Sequence, residues 1–224
     1  PLTVVLLHGF GAPGDDLVSL AGVLPRSARY VFPAAPLELD GMFGGRAPVA
    51  PDQARAGGAR AWWLLDLARL EAELRAGIPR DRSDEIPAGL PAAREHVTRL
   101  LDQLGPRLGG GGKLVLGGFS QGAMLAIDVA LHREPLPDAI VAMSGTLVAE
   151  AEWQPRMARL RGVPVFQSHG RYDMLLPFTV AETLRDRMRA AGATVDWQPF
   201  VGGHEIPPGV VGALSEFLTR SSGR

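Results

Sequence analysis

The stretch Lys113-Leu-Val-Leu-Gly-Gly-Phe-Ser120-Gln-Gly-Ala-Met-Leu-Ala-Ile-Asp-Val-Ala-Leu131 predicts a strand, a sharp turn and a helix in immediate succession. The apolar run Leu114–Leu116 is typical of a buried strand, and from Gln121 onward apolar residues recur at the spacing of one helical face. At the joint, Gly118-Phe-Ser-Gln-Gly122 has the spacing Gly-x-Ser-x-Gly, in which a strained turn exposes the serine hydroxyl. We therefore predict a serine nucleophile, against the plainer interpretation of a Gly/Ser-rich connection without chemistry.

The rest of the chain repeats this alternation of strands and helices. Further strands are predicted at Leu2–Leu7, Arg29–Pro33, Ala139–Met143, Val163–His169 and Thr194–Gln198. Further helices are predicted at Leu17–Leu24, Leu67–Ala76, Pro91–Leu108, Pro177–Gly192 and Pro208–Leu218. The charged stretch from Asp66 to Arg82 gives no chemical signal. Because no repeat or domain boundary interrupts the alternation, we expect one α/β domain over residues 1–224, with a mostly parallel sheet.

Composition excludes several functional classes. The formal net charge of −1 offers no basic surface for nucleic acid or an anionic membrane. The absence of cysteine excludes disulfides, a cysteine nucleophile and a thiolate metal site. The histidines are scattered and no phosphate-binding Gly-x-x-x-x-Gly-Lys occurs, so we predict no metal and no cofactor. No apolar run approaches the ~18 residues of a membrane span, so we expect no stable membrane insertion and a cytoplasmic location.

A serine nucleophile needs a base for its proton and a carboxylate that orients the base. His204 follows the last strand in a glycine-rich loop, whereas His132 lies on the helix after Ser120 and His169 ends a strand before its acidic neighbour. Asp173 lies in the turn after that strand, at the same sheet edge. The competing acidic residues lie before a strand, within a strand or on helices: Asp138, Glu150, Glu152, Glu182, Asp186 and Asp196. We predict His204 as the base and Asp173 as its partner, with a simple turn residue and a loop histidine as the alternatives.

Acyl chemistry also requires backbone donors for an oxyanion. One donor is the N–H of Gln121, which follows the nucleophile. The other is the N–H of Phe10, in the turn His8-Gly-Phe-Gly11 after the first strand. The glycines on either side of Phe10 make such a turn sterically accessible.

Regular periodicity disappears from Glu38 to Gly58, and a stretch of this kind is usually functional or disordered. Its apolar residues argue against a purely solvated linker. The paired tryptophans that follow are more often core than site. We hypothesise an irregular, partly mobile cover at about residues 38–60 and an apolar groove for short-to-medium acyl chains. The substrate-binding candidates are Met42, Phe43, Trp62, Trp63, Leu175 and Leu176.

Several ordered motifs occur through most of the chain: Leu7-His-Gly-Phe-Gly11, Phe32-Pro-Ala-Ala-Pro36, Arg60-Ala-Trp-Trp63, Gly117-Gly-Phe-Ser-Gln-Gly122, Met143-Ser-Gly145, His169-Gly-Arg-Tyr-Asp173 and Gly203-His-Glu-Ile206. Together they resemble the phospholipase/carboxylesterase family of α/β-hydrolases, which contains small bacterial carboxylesterases and acyl-protein thioesterases. The resemblance implies an α/β-hydrolase fold with helices on both faces of the sheet. It implies a Ser120–Asp173–His204 triad, oxyanion donors at Phe10 and Gln121, and hydrolysis of carboxylic esters or thioesters without a cofactor.

The sequence departs from the family pattern near the expected acyl site. Ala123 stands where a second glycine is common, Met174-Leu175-Leu176 replaces an Asp-Pro-containing segment, and Leu64 replaces an aspartate. The partners expected are a small-molecule ester or thioester and, as an assembly, a homodimer. The alternatives are a serine hydrolase for lactones, amides or peptides, and a hydrolase-fold binding protein without turnover.

Overall fold

Six parallel strands form the central sheet of the protein, whose computed structural model describes residues 1–39, 58–77, 81–107 and 112–223. The strands of this sheet are β1 (Leu2–Leu7), β2 (Ala28–Val31), β5 (Lys113–Phe119), β6 (Ala139–Met143), β7 (Pro164–Gly170) and β8 (Thr194–Phe200), in the order β2-β1-β5-β6-β7-β8. A separate antiparallel ribbon pairs β3 (Leu37–Glu38) with β4 (Arg60–Ala61).

Helices cover both faces of the sheet, as predicted. The helices are α1 (Leu67–Ala76), α2 (Leu90–Arg107), α3 (Gln121–His132), α4 (Glu150–Trp153), α5 (Phe178–Ala190) and α6 (Pro208–Ser222). Successive side chains of a strand point to opposite faces. In β1, Val5 and Leu7 therefore pack in the cluster that contains α2, α3 and α5, whereas Val4 and Leu6 pack in the cluster that contains α6.

The strand order creates a crevice between β1 and β5. After β1 the chain continues to β2, toward one edge of the sheet, whereas after β5 it continues to β6, toward the opposite edge. Loops that diverge in this way open a space at the carboxyl ends of the strands, where ligands bind in open α/β sheets. The register Leu7↔Gly118 and Phe119↔Met143 brings the ends of three strands to the same level beside this space.

Two local predictions differ from the structure. The helix expected over Leu17–Leu24 is only a short 3₁₀ helix, Val18–Gly22, because i→i+3 hydrogen bonds form and Pro25 prevents its extension. The structure also has α4 and a 3₁₀ helix at Gln154–Leu160, neither of which was predicted, since Pro155 interrupts the periodicity there. Within the described ranges, no helix has the length and apolar character needed to cross a membrane.

Candidate active site

Ser120 lies on the tight turn between β5 and α3. Its φ of 54° and ψ of −119° fall in a region that non-glycine residues rarely occupy, and its N–H donates to the Met143 carbonyl at 2.8 Å. A Cβ on Gly118 would lie 2.4 Å from the Leu7 carbonyl oxygen, and one on Gly122 would lie 2.1 Å from the same atom. Both glycines of the motif are therefore required because the backbones of β1, β5 and α3 meet at this point.

A continuous chain of hydrogen bonds joins Ser120, His204 and Asp173. Ser120 Oγ lies 2.8 Å from His204 Nε2, and His204 Nδ1 lies 2.7 Å from Asp173 Oδ2. The other carboxylate oxygen, Asp173 Oδ1, accepts from the N–H groups of Leu175 and Leu176 at 2.8 and 2.9 Å. Since the carboxylate can only accept, the proton of a neutral His204 ring sits on Nδ1, and Nε2 is available to accept the serine proton.

Asp173 is held in its charged form. Burial opposes ionisation, but the hydrogen bond from His204, the backbone N–H groups of Leu176 and Leu175 and the charge of His204 together lower the pKa of Asp173 below its ordinary value. A Cβ on Gly170 would lie 2.1 Å from the Gly203 carbonyl oxygen, so the loop of Asp173 and the loop of His204 are in direct backbone contact. The side chains of Asp173 and His204 are therefore held in fixed positions relative to the sheet.

His169 is a second histidine beside Asp173. Its Nε2 donates to the Leu176 carbonyl at 2.9 Å and lies 3.4 Å from Asp173 Oδ2, and its side chain is fully buried. Burial lowers the pKa of His169, so its ring stays neutral. Sequence reasoning considered His169 only as a base. The i,i+4 spacing of His169 and Asp173 was the signal that could have placed the two side chains together.

His132, the other alternative base, belongs to a separate cluster. Its Nδ1 bonds the Asp128 carbonyl at 2.8 Å, and its ring lies 3.7 Å from Glu152. Asp128, His132 and Glu152 have spacing that could suit a metal ion, but Arg94 already binds both carboxylates, at 2.5 and 2.9 Å. The guanidinium occupies the acceptors that a cation would need, so the residues do not fit a metal site.

The N–H groups of Phe10 and Gln121 have no hydrogen-bond acceptor among the described residues. The loop that carries Phe10 is fixed by the buried ring of His8. His8 Nε2 accepts from Ala35 N–H at 3.0 Å, so Nδ1 carries the proton and donates to Gly9 at 2.8 Å. Burial lowers the pKa of His8 and preserves this neutral form. Within the described part of the chain, neither predicted oxyanion donor is thus used by a protein acceptor, and Phe10 and Gln121 line the same cavity as Ser120.

The Gln121 side chain has a role that the sequence did not suggest. Its Oε1 accepts from Trp62 N–H and its Nε2 donates to the Trp63 carbonyl, both at 2.9 Å. Trp62 lies in the core, where its indole N–H donates to the His8 carbonyl at 2.9 Å, and it does not line the cavity described below. Gln121 thus ties the chain that follows β4 to the turn that carries Ser120.

A cavity of about 340 Å³ opens at Ser120. Its lining includes Trp63, Leu175 and Leu176 from the predicted set, together with apolar Met124 and Val148. Met42 and Phe43, with most of the predicted cover at about 38–60, lie outside the described residues. The ends of that segment are joined by the ribbon of β3 and β4.

Comparison with known proteins agrees with this fold. The model of the phospholipase/carboxylesterase family matches residues 2–222. Acyl-protein thioesterase 1 of Neurospora crassa is 27% identical over 97% of this chain and 85% of its own length. The crystal structure of esterase PE8 is 30% identical, with a TM-score of 0.74 over 97% of this chain and 91% of its own. That of Zea mays acyl-protein thioesterase 2 shares the fold, with a TM-score of 0.68 at 24% identity over 99% of this chain and 94% of its own.

These findings confirm both the resemblance and the α/β-hydrolase fold inferred from the sequence motifs. The family match extends over nearly the whole chain rather than over the serine motif alone. The chain therefore belongs to the phospholipase/carboxylesterase family of α/β-hydrolases, and it is an ester-hydrolysing enzyme.

Proposed function

We propose that the protein is a serine hydrolase that cleaves carboxylic esters or thioesters through an acyl-enzyme on Ser120. The observation that carries the proposal is the 2.8 Å hydrogen bond between Ser120 Oγ and His204 Nε2. Further support comes from the names of two relatives, an esterase and an acyl-protein thioesterase. No cofactor enters the reaction.

In the first half-reaction, Ser120 Oγ attacks the acyl carbon while His204 Nε2 takes the hydroxyl proton. Asp173 keeps the imidazole in the required tautomer and stabilises the imidazolium that forms. The N–H groups of Phe10 and Gln121 stabilise the oxyanion of the tetrahedral intermediate. The C–O or C–S bond then breaks, and His204 gives its proton to the leaving alcohol or thiol.

In the second half-reaction, water attacks the acyl group on Ser120. His204 accepts a proton from that water, a second tetrahedral intermediate forms in the same oxyanion site, and its collapse returns the proton to Ser120 Oγ. The products are a carboxylic acid and the free enzyme. The acyl chain lies in the apolar cavity beside Trp63, Met124 and Leu176 during both steps.

Steady-state kinetics with p-nitrophenyl butyrate and butyryl-CoA test this proposal. Ser120→Ala and His204→Ala should each lower kcat by about 10⁴-fold or more, since losses at triad residues are of that order. His132→Ala is the matched control and should leave kcat unchanged, because its ring bonds the Asp128 carbonyl rather than Ser120. If folded Ser120→Ala keeps about a tenth of the wild-type rate, far above the residual of a lost triad member, the assignment is wrong.

A further inference from the structure

Charged side chains line part of the largely apolar cavity. Arg69, Arg82 and Glu85 line it together with Leu70 and Pro87, and Ser120 and His204 line the same cavity. With Glu73, the three charged residues form what we call the ion-pair cluster: Arg69, Glu73, Arg82 and Glu85. Charged groups at an otherwise apolar pocket require a reason, because contact with a hydrocarbon chain removes water from them.

Every charge of the cluster is paired with another member. Arg69 Nε donates to Glu73 at 2.8 Å, and the Arg69 guanidinium forms a two-pronged contact with Glu85 at 2.7 and 3.1 Å. Arg82 Nη2 donates to the second oxygen of Glu73. The side-chain hydrogen bond from Arg82, and with it that from Arg69, lowers the pKa of Glu73 although burial opposes this. Glu73 therefore stays ionised and paired at neutral pH.

The cluster is in contact with both the cavity and solvent. The side chains of Arg69 and Glu85 are 49% and 40% exposed, whereas those of Glu73 and Arg82 are 15% and 23% exposed. Three of its members also line the cavity: Arg69, Arg82 and Glu85. An acyl chain that extended along the cavity as far as the cluster would meet paired charges instead of apolar side chains.

The two halves of the cluster are held in different ways. Arg69 and Glu73 lie on α1, a helix without a buried residue, whose N-terminus is capped by Asp66. Arg82 and Glu85 lie on a segment that is anchored to the body, since the carbonyls of Ser83 and Glu85 accept from the N–H groups of residues 150 and 149 at 2.7 and 2.9 Å. The cluster therefore joins a loosely packed helix to a fixed segment.

We propose that the ion-pair cluster is the end wall of the acyl pocket and determines the longest acyl chain that the enzyme accepts. This inference rests on the proposed function of Ser120. Each methylene that packs in the apolar part should raise kcat/KM, by up to about fourfold if fully buried. The first methylene that reaches the cluster must separate a guanidinium from a carboxylate and leave half-buried charges unpaired. The rate should therefore rise with chain length, reach a maximum where the chain meets the cluster, and fall beyond it.

The test is kcat/KM for p-nitrophenyl esters from C2 to C16, with each profile expressed relative to the C2 ester of the same variant. Arg69→Ala/Glu85→Ala removes a pair that lines the cavity and leaves Glu73 paired with Arg82. It should open the wall, so that esters beyond the wild-type maximum gain about tenfold or more in relative kcat/KM and the fall becomes a plateau. Glu71→Ala/Arg75→Ala removes an exposed ion pair on the same helix, outside the cavity, and should leave the profile unchanged. Superimposable profiles for the wild type and the Arg69/Glu85 variant would overturn the proposal.

A second variant tests the same end of the pocket without breaking an ion pair. Leu70→Trp adds a ring beside the cluster and should move the maximum to a chain shorter by about two carbons. If it leaves the maximum in place, the cluster does not limit chain length, whether or not the alanine variant folds. Failure of the proposed function would look different, because Ser120→Ala would then still hydrolyse the C2 ester.

Discussion

The turn that carries Ser120 and the ion-pair cluster that lines the same cavity are built in opposite ways. At the turn, Gly118 and Gly122 leave no room for a Cβ, and α3 is buried along nearly its whole length. At the cluster, α1 has no buried residue and is held by partly exposed charges. Exposed ion pairs contribute only about 0–1 kcal/mol each, whereas a backbone clash cannot be relieved without moving the strands.

This difference separates two properties of the enzyme. The positions of the reacting groups depend on backbone packing that tolerates almost no substitution. The proposed limit on acyl length depends on surface charges that can change at little cost in stability. Substitutions at the turn should therefore lower kcat, whereas substitutions at the cluster should change the longest acyl chain that the enzyme accepts.

The largest effect is expected at Asp173, whose carboxylate is hydrogen-bonded to His204. Asp173→Asn should lower kcat by about 10⁴-fold, because an amide can present a donor to His204 Nδ1 and favour the wrong tautomer. Asp138→Asn is a matched control, since its carboxylate accepts from Leu114 N–H, at the opposite end of β5 from Ser120. The measurement is kcat for p-nitrophenyl butyrate. Equal losses in the two variants would indicate a general effect of the substitution.

A smaller effect is expected where the turn of Ser120 is bound to the chain that follows β4. Gln121→Met removes the partners of Trp62 N–H and the Trp63 carbonyl, and unsatisfied buried groups cost about 1–3 kcal/mol each. The free energy of unfolding in urea should fall by about 2–4 kcal/mol, while kcat falls less than about tenfold, because the backbone N–H of residue 121 remains. Gln198→Met, at a partly exposed amide, should change stability by less than about 0.5 kcal/mol. A loss in kcat without a loss in stability would contradict this role.

Two buried histidines, His8 and His169, make the stability of the fold dependent on pH. Burial lowers the pKa of both His8 and His169, so below about pH 6.5 the unfolded chain binds protons that the folded chain does not. The free energy of unfolding should therefore decrease as the pH falls from 6.5 toward the lowered pKa values, by up to about 1.4 kcal/mol per pH unit for each histidine. His169→Phe should remove one such contribution in urea titrations between pH 7 and 5. An unchanged slope would show that His169 does not titrate in this way.

The smallest effect is expected at the start of α1. Asp66 caps this helix by accepting from Arg69 N–H at 2.9 Å, and loss of such a cap costs about 1 kcal/mol of helix stability. Because α1 buries no residue, Asp66→Ala should speed amide hydrogen exchange in α1 and leave α3 protected. If α3 loses protection to the same extent, the two regions are one cooperative unit and the contrast between them is wrong.

Sequence alone predicted β1 and the strand, turn and helix around Ser120, because the signals for these elements are local. The glycines around Ser120 and the near-continuous apolar run Leu2–Leu7 are each read from a few neighbouring residues. The bounds of α1 were also predicted correctly, since Asp66 and Gly77 are strong cap residues. The hydrogen bonds of Ser120, His204 and Asp173 are as the predicted triad requires, although their catalytic roles stay predictions.

The parts that sequence did not predict depend on contacts between distant segments. Nothing near Gln121 indicates that its side chain binds the backbone of Trp62 and Trp63, 59 and 58 residues away. The charges between Asp66 and Glu85 gave no signal of the proposed pocket wall. The ion pairs between α1 and the segment that carries Arg82 and Glu85 form only in the folded chain. His169 was missed for a related reason, since its neighbour Asp173 was considered only as a partner of His204.

If His204 activates Ser120 as a nucleophile, Ser120 should react with a fluorophosphonate. Mass spectrometry of the protein after this reaction should find one adduct, mapped to the peptide that contains Ser120, and no adduct under the same conditions in His204→Ala. An adduct on another residue, or labelling of Ser120 at an unchanged rate in His204→Ala, would contradict this activation.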